Sequence, residues 1–264
     1  MSVQPIIKWA GGKRWLVKKA PELFPKEFNT YIEPFLGGGA VFFHLKPEKS
    51  ILSDVNSELI NTYNAVRENH KEIITLLEAH QKKHSEEHYY FVRANEPENK
   101  IEQAARMLYL NRTCWNGLYR VNLKGKFNVP IGTKLNILHD IDSFSDVSDL
   151  LNKAIINTSD FEKTIDLSKE NDFLFIDPPY TVKHNENGFI KYNENLFSWN
   201  DQVRLRDAVI RAKNRKTKII ILNANHESIR DLYKDFNQKV LTRRNIIAGR
   251  SEHRGDYEEL AIQI

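Results

Sequence analysis

Asp177, Pro178, Pro179 and Tyr180 directly follow four apolar residues, Phe173 to Ile176, and their order suits one kind of chemistry. The apolar run reads as a fully buried strand, and two successive prolines forbid that strand from continuing. A carboxylate, a carbonyl on a chain stiffened at two φ angles, and an aromatic face are therefore fixed at the strand's end. An exocyclic amine on a purine ring carries two hydrogens and needs two acceptors. The Asp177 carboxylate and the Pro178 carbonyl can supply both. Holding the two hydrogens draws the nitrogen towards tetrahedral geometry and makes its lone pair available. A flat base can meanwhile stack on Tyr180, a contact worth roughly 1–3 kcal/mol per base in single-strand binding. The competing reading is a buried aspartate that caps a turn, with the tyrosine as packing.

A second constellation is EPFLGGGAVF, residues 33–42. Its glycines let a backbone approach a ligand closely and adopt positive φ. Gly37 and Gly39 give G-x-G, but Phe42 stands where the third glycine of a pyrophosphate-binding turn belongs. Asp54, after the next strand, is suited to accept from ribose hydroxyls. The pair fits an adenosine-containing cofactor without a diphosphate; a merely structural glycine turn is the alternative. KWAGGK, residues 8–13, resembles a phosphate-binding loop but fails as one, because Ile7 replaces its first glycine and Arg14 its Ser or Thr. Trp9 offers an apolar plane there, and Lys13 a cation for the amino-acid end of a cofactor.

The elements that must position these residues follow from local pattern. Residues 30–32 read as a strand, 35–39 as a turn, 40–45 as a short helix and 51–52 as a second strand. Helical spacing runs from Ser57 to Arg112, and residues 118–129 look like a β-hairpin. Strand signals return at 173–176 and 219–222, separated by an amphipathic helix over about 201–213 whose start is marked by Ser198 and Asp201. A last pair of strands is expected to flank the polar loop around 249–255. Strands alternating with helices at both ends predict a doubly wound α/β sheet, with roughly 57–156 as an insertion. In such sheets ligands bind at the carboxyl ends of strands, where Glu33, Asp54 and Asp177 fall.

In the expected hairpin, Leu118, Arg120 and Asn122 share one face with Lys126 and Asn128, while Tyr119, Val121 and Leu123 pack with Phe127 and Val129. Gly125 permits the turn. A polar ribbon centred on Arg120 fits a DNA major groove, although an ordinary exposed hairpin has the same pattern.

The 264 residues are 41% hydrophobic, enough to bury a sizeable core. No apolar run reaches the roughly 18 residues of a membrane span, and the N-terminus lacks the apolar core of a signal peptide. A single cysteine, Cys114, excludes an internal disulfide framework and a cysteine cluster for zinc. The expectation is a cytosolic, metal-independent protein. Net charge is +4, but basic residues cluster at 112–126, 211–218 and 243–254. The run at 211–218 reads as solvated surface, while three clusters favour a polyanionic partner. Arg250 and Arg254 suit phosphate contacts, and His226 reads as a surface or substrate-edge residue.

Taken in order, KWAGGK (8–13), EPFLGGGAVF (33–42), DVN (54–56), NGLYRVNLKGKFNVP (116–130) and DPPY (177–180) resemble the blocks of the Dam-type, α-class DNA adenine-N6 methyltransferases. The resemblance covers essentially the whole chain. It implies a Rossmann-like S-adenosylmethionine-dependent fold, with residues 1–56 and 157–264 catalytic. Residues 57–156 would be the recognition domain, its helices joined by a β-hairpin at about 117–130. It further implies S-adenosylmethionine as donor, S-adenosylhomocysteine as product and no metal. The substrate would be a flipped adenine in double-stranded DNA, with GATC as the site. A monomer is expected, DNA-associated in a prokaryotic or phage setting, acting alone or beside a cognate restriction endonuclease.

Carried over residue by residue, Asp177, Pro178, Pro179 and Tyr180 are catalytic. Trp9, Lys13, Glu33, Phe35, Gly37, Gly38, Gly39 and Asp54 would serve the cofactor, together with the near edge of Asp177. Asp160 would accept from the cofactor's adenine amine and Phe161 would pack on its ring. Lys8, Asn116, Leu118, Arg120, Asn122, Lys126, Arg250 and Arg254 would contact DNA. An N4-cytosine methyltransferase is the nearest alternative, although such enzymes more often carry Ser where Asp177 stands. A DNA-binding relative without catalysis is the other.

Overall fold

The computed structural model describes residues 3–122, 124–140, 142–183, 197–244 and 256–264. Leu123, Arg250 and Arg254 lie outside the described residues. In chain order the first elements are α1 (Leu16–Lys19), β1 (Tyr31–Glu33), α2 (Ala40–Leu45), β2 (Ser50–Asp54), α3 (Ser57–Lys83), α4 (Glu86–Ala94) and α5 (Lys100–Thr113). They are followed by α6 (Phe144–Leu151), β3 (Ala154–Thr158), α7 (Phe161–Ile165), β4 (Phe173–Ile176), α8 (Trp199–Asn214), β5 (Lys218–Ala224), α9 (Glu227–Leu232), β6 (Asn237–Arg244) and β7 (Asp256–Gln263). The fold is mixed α/β with seven strands among the described residues. By packing, the chain divides into two compact units: Met1–Lys19 with Leu36–Thr158, and Ala20–Phe35 with Ser159–Ile264.

The first unit is mainly helical. Its strands β2 and β3 pair in parallel, Leu52 opposite Ile156. Helix α3 begins because the Asn56 side chain accepts from the Leu59 backbone N–H at 2.9 Å, satisfying an otherwise orphaned donor. It packs against α5, and Leu59, Tyr63 and Val66 of α3 are buried, as are Ala104, Leu108 and Tyr109 of α5. Strand β3 and helix α6 were not expected from the sequence. Buried Ala154 and Ile156 do alternate with exposed Ile155 and Asn157, but five residues with a single apolar exception are a weak signal.

Histidines gather where α3 meets α4 and α5. His80 Nδ1 lies 3.0 Å from His88 Nε2, and its ring stacks on Tyr109 at 4.6 Å between centroids. Burial, then the nearby charges of His88 and Lys83, pull the His80 pKa from 6.5 down to about 4. The folded chain therefore keeps His80 neutral where the unfolded chain has already bound a proton. Across pH 6.5 to about 4 the unfolded state binds more protons, so stability falls as the pH falls through that window. His80→Phe, which keeps the stacking ring but cannot titrate, should flatten the decline in urea-unfolding free energy between pH 7 and 4. An unaltered slope would assign the acid lability to other groups.

In the second unit the strand order is β1-β4-β5-β7-β6. The first three strands run parallel, with Ile32 opposite Leu174 and Phe175 opposite Ile220. Strand β7 is antiparallel to β5 and to β6. All four side chains of β4 are buried, each stabilising the fold by roughly 1.5–3 kcal/mol. Asp172, which precedes them, is a structural carboxylate that accepts from the backbone N–H of Thr30 at 3.0 Å and of Lys169 at 2.8 Å. Helix α8 carries the capping box expected from Ser198 and Asp201, with both reciprocal hydrogen bonds formed.

Candidate active site

In the first unit, the glycine turn is laced to the end of β2. Leu36 N–H donates to the Ser53 carbonyl at 2.9 Å, and Gly37 N–H to Asp54 Oδ2 at 3.0 Å. The other Asp54 oxygen accepts from Asn56 N–H at 3.0 Å. Burial pushes the Asp54 carboxyl up, opposed by these backbone donors. A carboxylate accepts about four hydrogen bonds, so Asp54 can hold the turn and still receive a hydroxyl. Spacing alone did not reveal the first of these tasks.

The glycines also have a reason inside the chain. A Cβ on Gly37, whose φ is +46°, would sit 2.8 Å from Trp9 Cδ1. One on Gly38 would sit 3.2 Å from the Ile7 carbonyl oxygen. The N-terminal segment thus rests directly on the turn, and Tyr63 Oη secures it by donating to the Gly37 carbonyl at 2.9 Å. Trp9 is stacked on Tyr119, 5.0 Å between centroids, and buried Lys13 donates to the Gly11 carbonyl at 2.7 Å.

Residues 114–131 form a loop closed by two isolated antiparallel bridges, Cys114 with Ile131 and Val121 with Phe127. Around the second bridge the expected hairpin is present in short form: Asn122 N–H donates to the Lys126 carbonyl at 2.9 Å, Asn128 N–H to the Arg120 carbonyl at 3.1 Å, and Gly125 N–H to the Asn122 carbonyl at 2.9 Å. Left-handed backbone at Asn116 and Gly117 turns the chain at its start. Its two faces separate as expected, with Leu118, Arg120, Asn122 and Lys126 exposed and Phe127 and Val129 buried. Tyr89 Oη and Arg93 Nη1 both donate to the Val129 carbonyl, at 2.9 and 3.1 Å, fixing its base. Asn111, which sequence reasoning missed, joins Lys8 to this loop: it accepts from Lys8 N–H at 2.9 Å and donates to the Lys8 carbonyl at 2.8 Å. The Lys8 ammonium donates to the Asn116 carbonyl, and burial lowers its pKa. Arg120 Nε donates to Asn128 Oδ1 at 2.9 Å across the bend. Arg120→Ala should cut discrimination between specific and random duplex by roughly 5- to 150-fold. Filter binding that shows equal losses on both duplexes would make Arg120 a phosphate contact instead.

In the second unit, acids gather at the carboxyl ends of β1 and β4. Buried Glu33 accepts from Tyr31 Oη at 2.9 Å. Burial and the charges of Glu33 and Asp177 push the Tyr31 phenol well up, so the two carboxylates share one electrostatic neighbourhood. Asp177 and Tyr180 are half-buried and Pro178 is buried. Tyr180 Oη donates to Glu259 Oε2 at 2.8 Å.

Phe35 stacks on Phe161 at 5.4 Å, and Phe197 sets its edge against Phe35 at 5.6 Å. Asp160 is the N-cap of α7, accepting from Glu162 N–H at 2.9 Å, and its Oδ1 also takes Arg204 Nη2 at 3.0 Å. The Arg204 guanidinium lies 4.8 Å over the Phe161 ring. Arg204, Phe197 and Glu259 carried no motif signal, because only folding brings them to the residues they hold.

The basic run and His226 have local structural partners. In the 211–218 run, Arg211 bonds Asp166 at 2.9 Å and Glu162 at 2.8 Å, and Lys216 bonds Glu170 at 3.1 Å. His226 caps α9, its Nδ1 accepting from Ser228 N–H at 3.2 Å. Among the described residues no cluster of three or more His, Cys, Asp or Glu could hold a metal. None of the described helices is long and apolar enough to cross a membrane.

Comparison with known proteins agrees with this chemistry. A type II methyltransferase of Lactococcus lactis subsp. cremoris, M1.LlaDCHI, is 36% identical over 271 residues, 99% of this chain and 95% of that protein. The type II methyltransferase M.MjaIII of Methanocaldococcus jannaschii is 34% identical, covering 97% of this chain and 96% of its own length. The DNA adenine methylase of Haemophilus influenzae is 32% identical, with 97% and 92% covered. The profile of the D12 class N6 adenine-specific DNA methyltransferases matches residues 9–246. An acceptor carboxylate and an aromatic face at the end of a buried strand, an exposed polar loop, and this match along nearly the full chain lead to one conclusion: the protein belongs to the D12 class of N6 adenine-specific DNA methyltransferases.

Proposed function

We propose that the chain transfers a methyl group from S-adenosylmethionine to N6 of an adenine extruded from a short duplex site, GATC being the site its family resemblance favours. The observation that carries this reading is the Asp177–Tyr180 segment, ending buried β4 with Tyr180 held by Glu259. Each unit carries residues suited to part of the cofactor. The Phe35–Phe161 stack with Asp160 at its edge suits an adenine ring, and Asp54 retains acceptor capacity for a ribose hydroxyl. Trp9, Lys13 and Glu33 with Gly37 to Gly39 would serve the remaining portion. Bound, the cofactor supplies an electrophilic methyl group on a positively charged sulfur.

What the chain does is hold the acceptor. Asp177 and the Pro178 carbonyl take the two amine hydrogens and Tyr180 supports the ring, so the work is orientation and electrostatics. Asp177 need not remove a proton beforehand, because the nitrogen becomes strongly acidic only once it is alkylated; its carboxylate then guides the departing proton. A paired adenine turns N6 towards its partner base, so the nucleotide must leave the stack, at a cost of a few kcal/mol. Leu118 and Arg120, with Lys8, Asn116, Asn122 and Lys126, would read the site. On this reading the fold is Rossmann-like with the 57–156 segment as recognition insertion. The type II relatives favour a place in restriction–modification. Incubating the chain with duplex DNA and methyl-tritiated S-adenosylmethionine, then separating nucleosides, tests the reaction. Label in N6-methyladenine supports the reading; label in N4-methylcytosine, or none, defeats it.

A further inference from the structure

Strand β7 runs antiparallel beside β5 and sets Glu259 opposite Ala224, beyond the point where Ile176 of β4 pairs with Ile221. Glu259 is fully buried. Removing a carboxylate from water is costly unless strong donors meet it, and here Tyr180 Oη donates to it at 2.8 Å. A tyrosine ring is tethered to the backbone at Cβ. When its hydroxyl is also held, both ends of its long axis are fixed, and only rotation about that axis remains. The next residue is secured separately. Thr181 Oγ1 donates to the Phe197 carbonyl at 2.6 Å, and its own carbonyl accepts from Gln202 Nε2 at 3.3 Å. Gln202 is in turn held by Asn223 Nδ2 at 3.0 Å. The backbone after Tyr180 is thus anchored by α8 and β5, and the ring itself by β7.

We propose that Glu259 is a positioning residue for methyl transfer, acting through the Tyr180 hydroxyl to hold the ring in the orientation on which a planar base stacks. This rests on the reading of Tyr180 as the stacking face. The contact through which it acts is the Tyr180 hydroxyl. It selects one ring pose before DNA arrives, so the base need not order the ring on entry.

The test is a double-mutant cycle in single-turnover methylation at saturating S-adenosylmethionine, with cofactor affinity measured by calorimetry. Glu259→Ala should slow transfer about tenfold, the equivalent of ~1.4 kcal/mol, with cofactor affinity preserved. Glu259→Gln, whose amide oxygen still accepts from the phenol, should keep most of the rate. In a Tyr180→Phe background the Glu259→Ala step should have little further effect, because the hydroxyl it acts through is gone. Equal slowing in both backgrounds, or failure of Gln to rescue, overturns the proposal. Glu259→Met, closer in volume, replaces the alanine variant if that one does not fold. Aromatic 13C relaxation of Tyr180 in the DNA-free chain reads the anchoring whatever the reaction is. Greater ring mobility in the alanine or methionine variant than in Glu259→Gln is the expected result, and equal mobility overturns it. If the wild-type chain transfers no methyl group to adenine, the functional reading fails while this measurement still decides the role of Glu259.

Discussion

Replacing Asp177 with alanine is expected to lower the single-turnover rate of adenine methylation by about a hundred- to a thousandfold, the usual loss when a preorganised electrostatic partner of the reacting atom is removed. The chain should nonetheless fold. Asp177 lies at the end of β4 rather than within it, and its charge acts on the buried Tyr31–Glu33 pair. Asp177→Asn retains one acceptor oxygen and should fall between wild type and alanine. Quench-flow methylation with thermal unfolding as the control checks both statements. Asp177→Ala within tenfold of wild type would leave the Pro178 carbonyl as the principal acceptor.

Gly132→Ala is expected to damage DNA discrimination from a position just outside the exposed loop. A Cβ there would sit 2.6 Å from the Cys114 carbonyl oxygen, 2.8 Å from its carbon and 3.0 Å from the Thr113 oxygen. Those are backbone atoms that no rotamer change can move, and Gly132 N–H is already tied to Thr113 at 2.7 Å. The displaced pair, Cys114 and Ile131, is the bridge that closes the exposed loop. Overpacking of this kind destabilises by roughly 1–3 kcal/mol, and here the strain is borne by the frame that aims Arg120 and Leu118. Competition binding with specific and random duplexes should show the ratio collapsing while calorimetric cofactor affinity holds. A preserved ratio would mean that the loop does not read sequence.

Local chemistry made much of the frame legible. The strand at 173–176 was expected with the bounds it has, because four apolar residues between Asp172 and two prolines leave no other choice. Helix α2 and the capped start of α8 were equally readable, each from a short-range signal. The short hairpin around Gly125 was legible in its turn and in which side chains it exposes. What fixes its base was not, because Tyr89 and Arg93, which donate to the Val129 carbonyl, lie far away in sequence. The same limit explains β3, whose partner β2 lies across four helices in the chain.

The amino-acid sequence by itself determined the chemistry on offer: an acceptor carboxylate, a rigid diproline and a ring at a strand's end, an acid after a glycine turn, and a polar loop around Arg120. Those are properties of neighbouring residues, set by φ restriction, side-chain type and hydrophobic run. The tertiary structure alone decided what holds them. Asp54 clasps Gly37, Trp9 occupies the space that a side chain on Gly37 would need, Arg204 grips Asp160, and Glu259 takes the Tyr180 hydroxyl. Each of these is a hydrogen bond or a steric contact between residues distant in the chain, and such contacts leave no periodicity for a sequence to display.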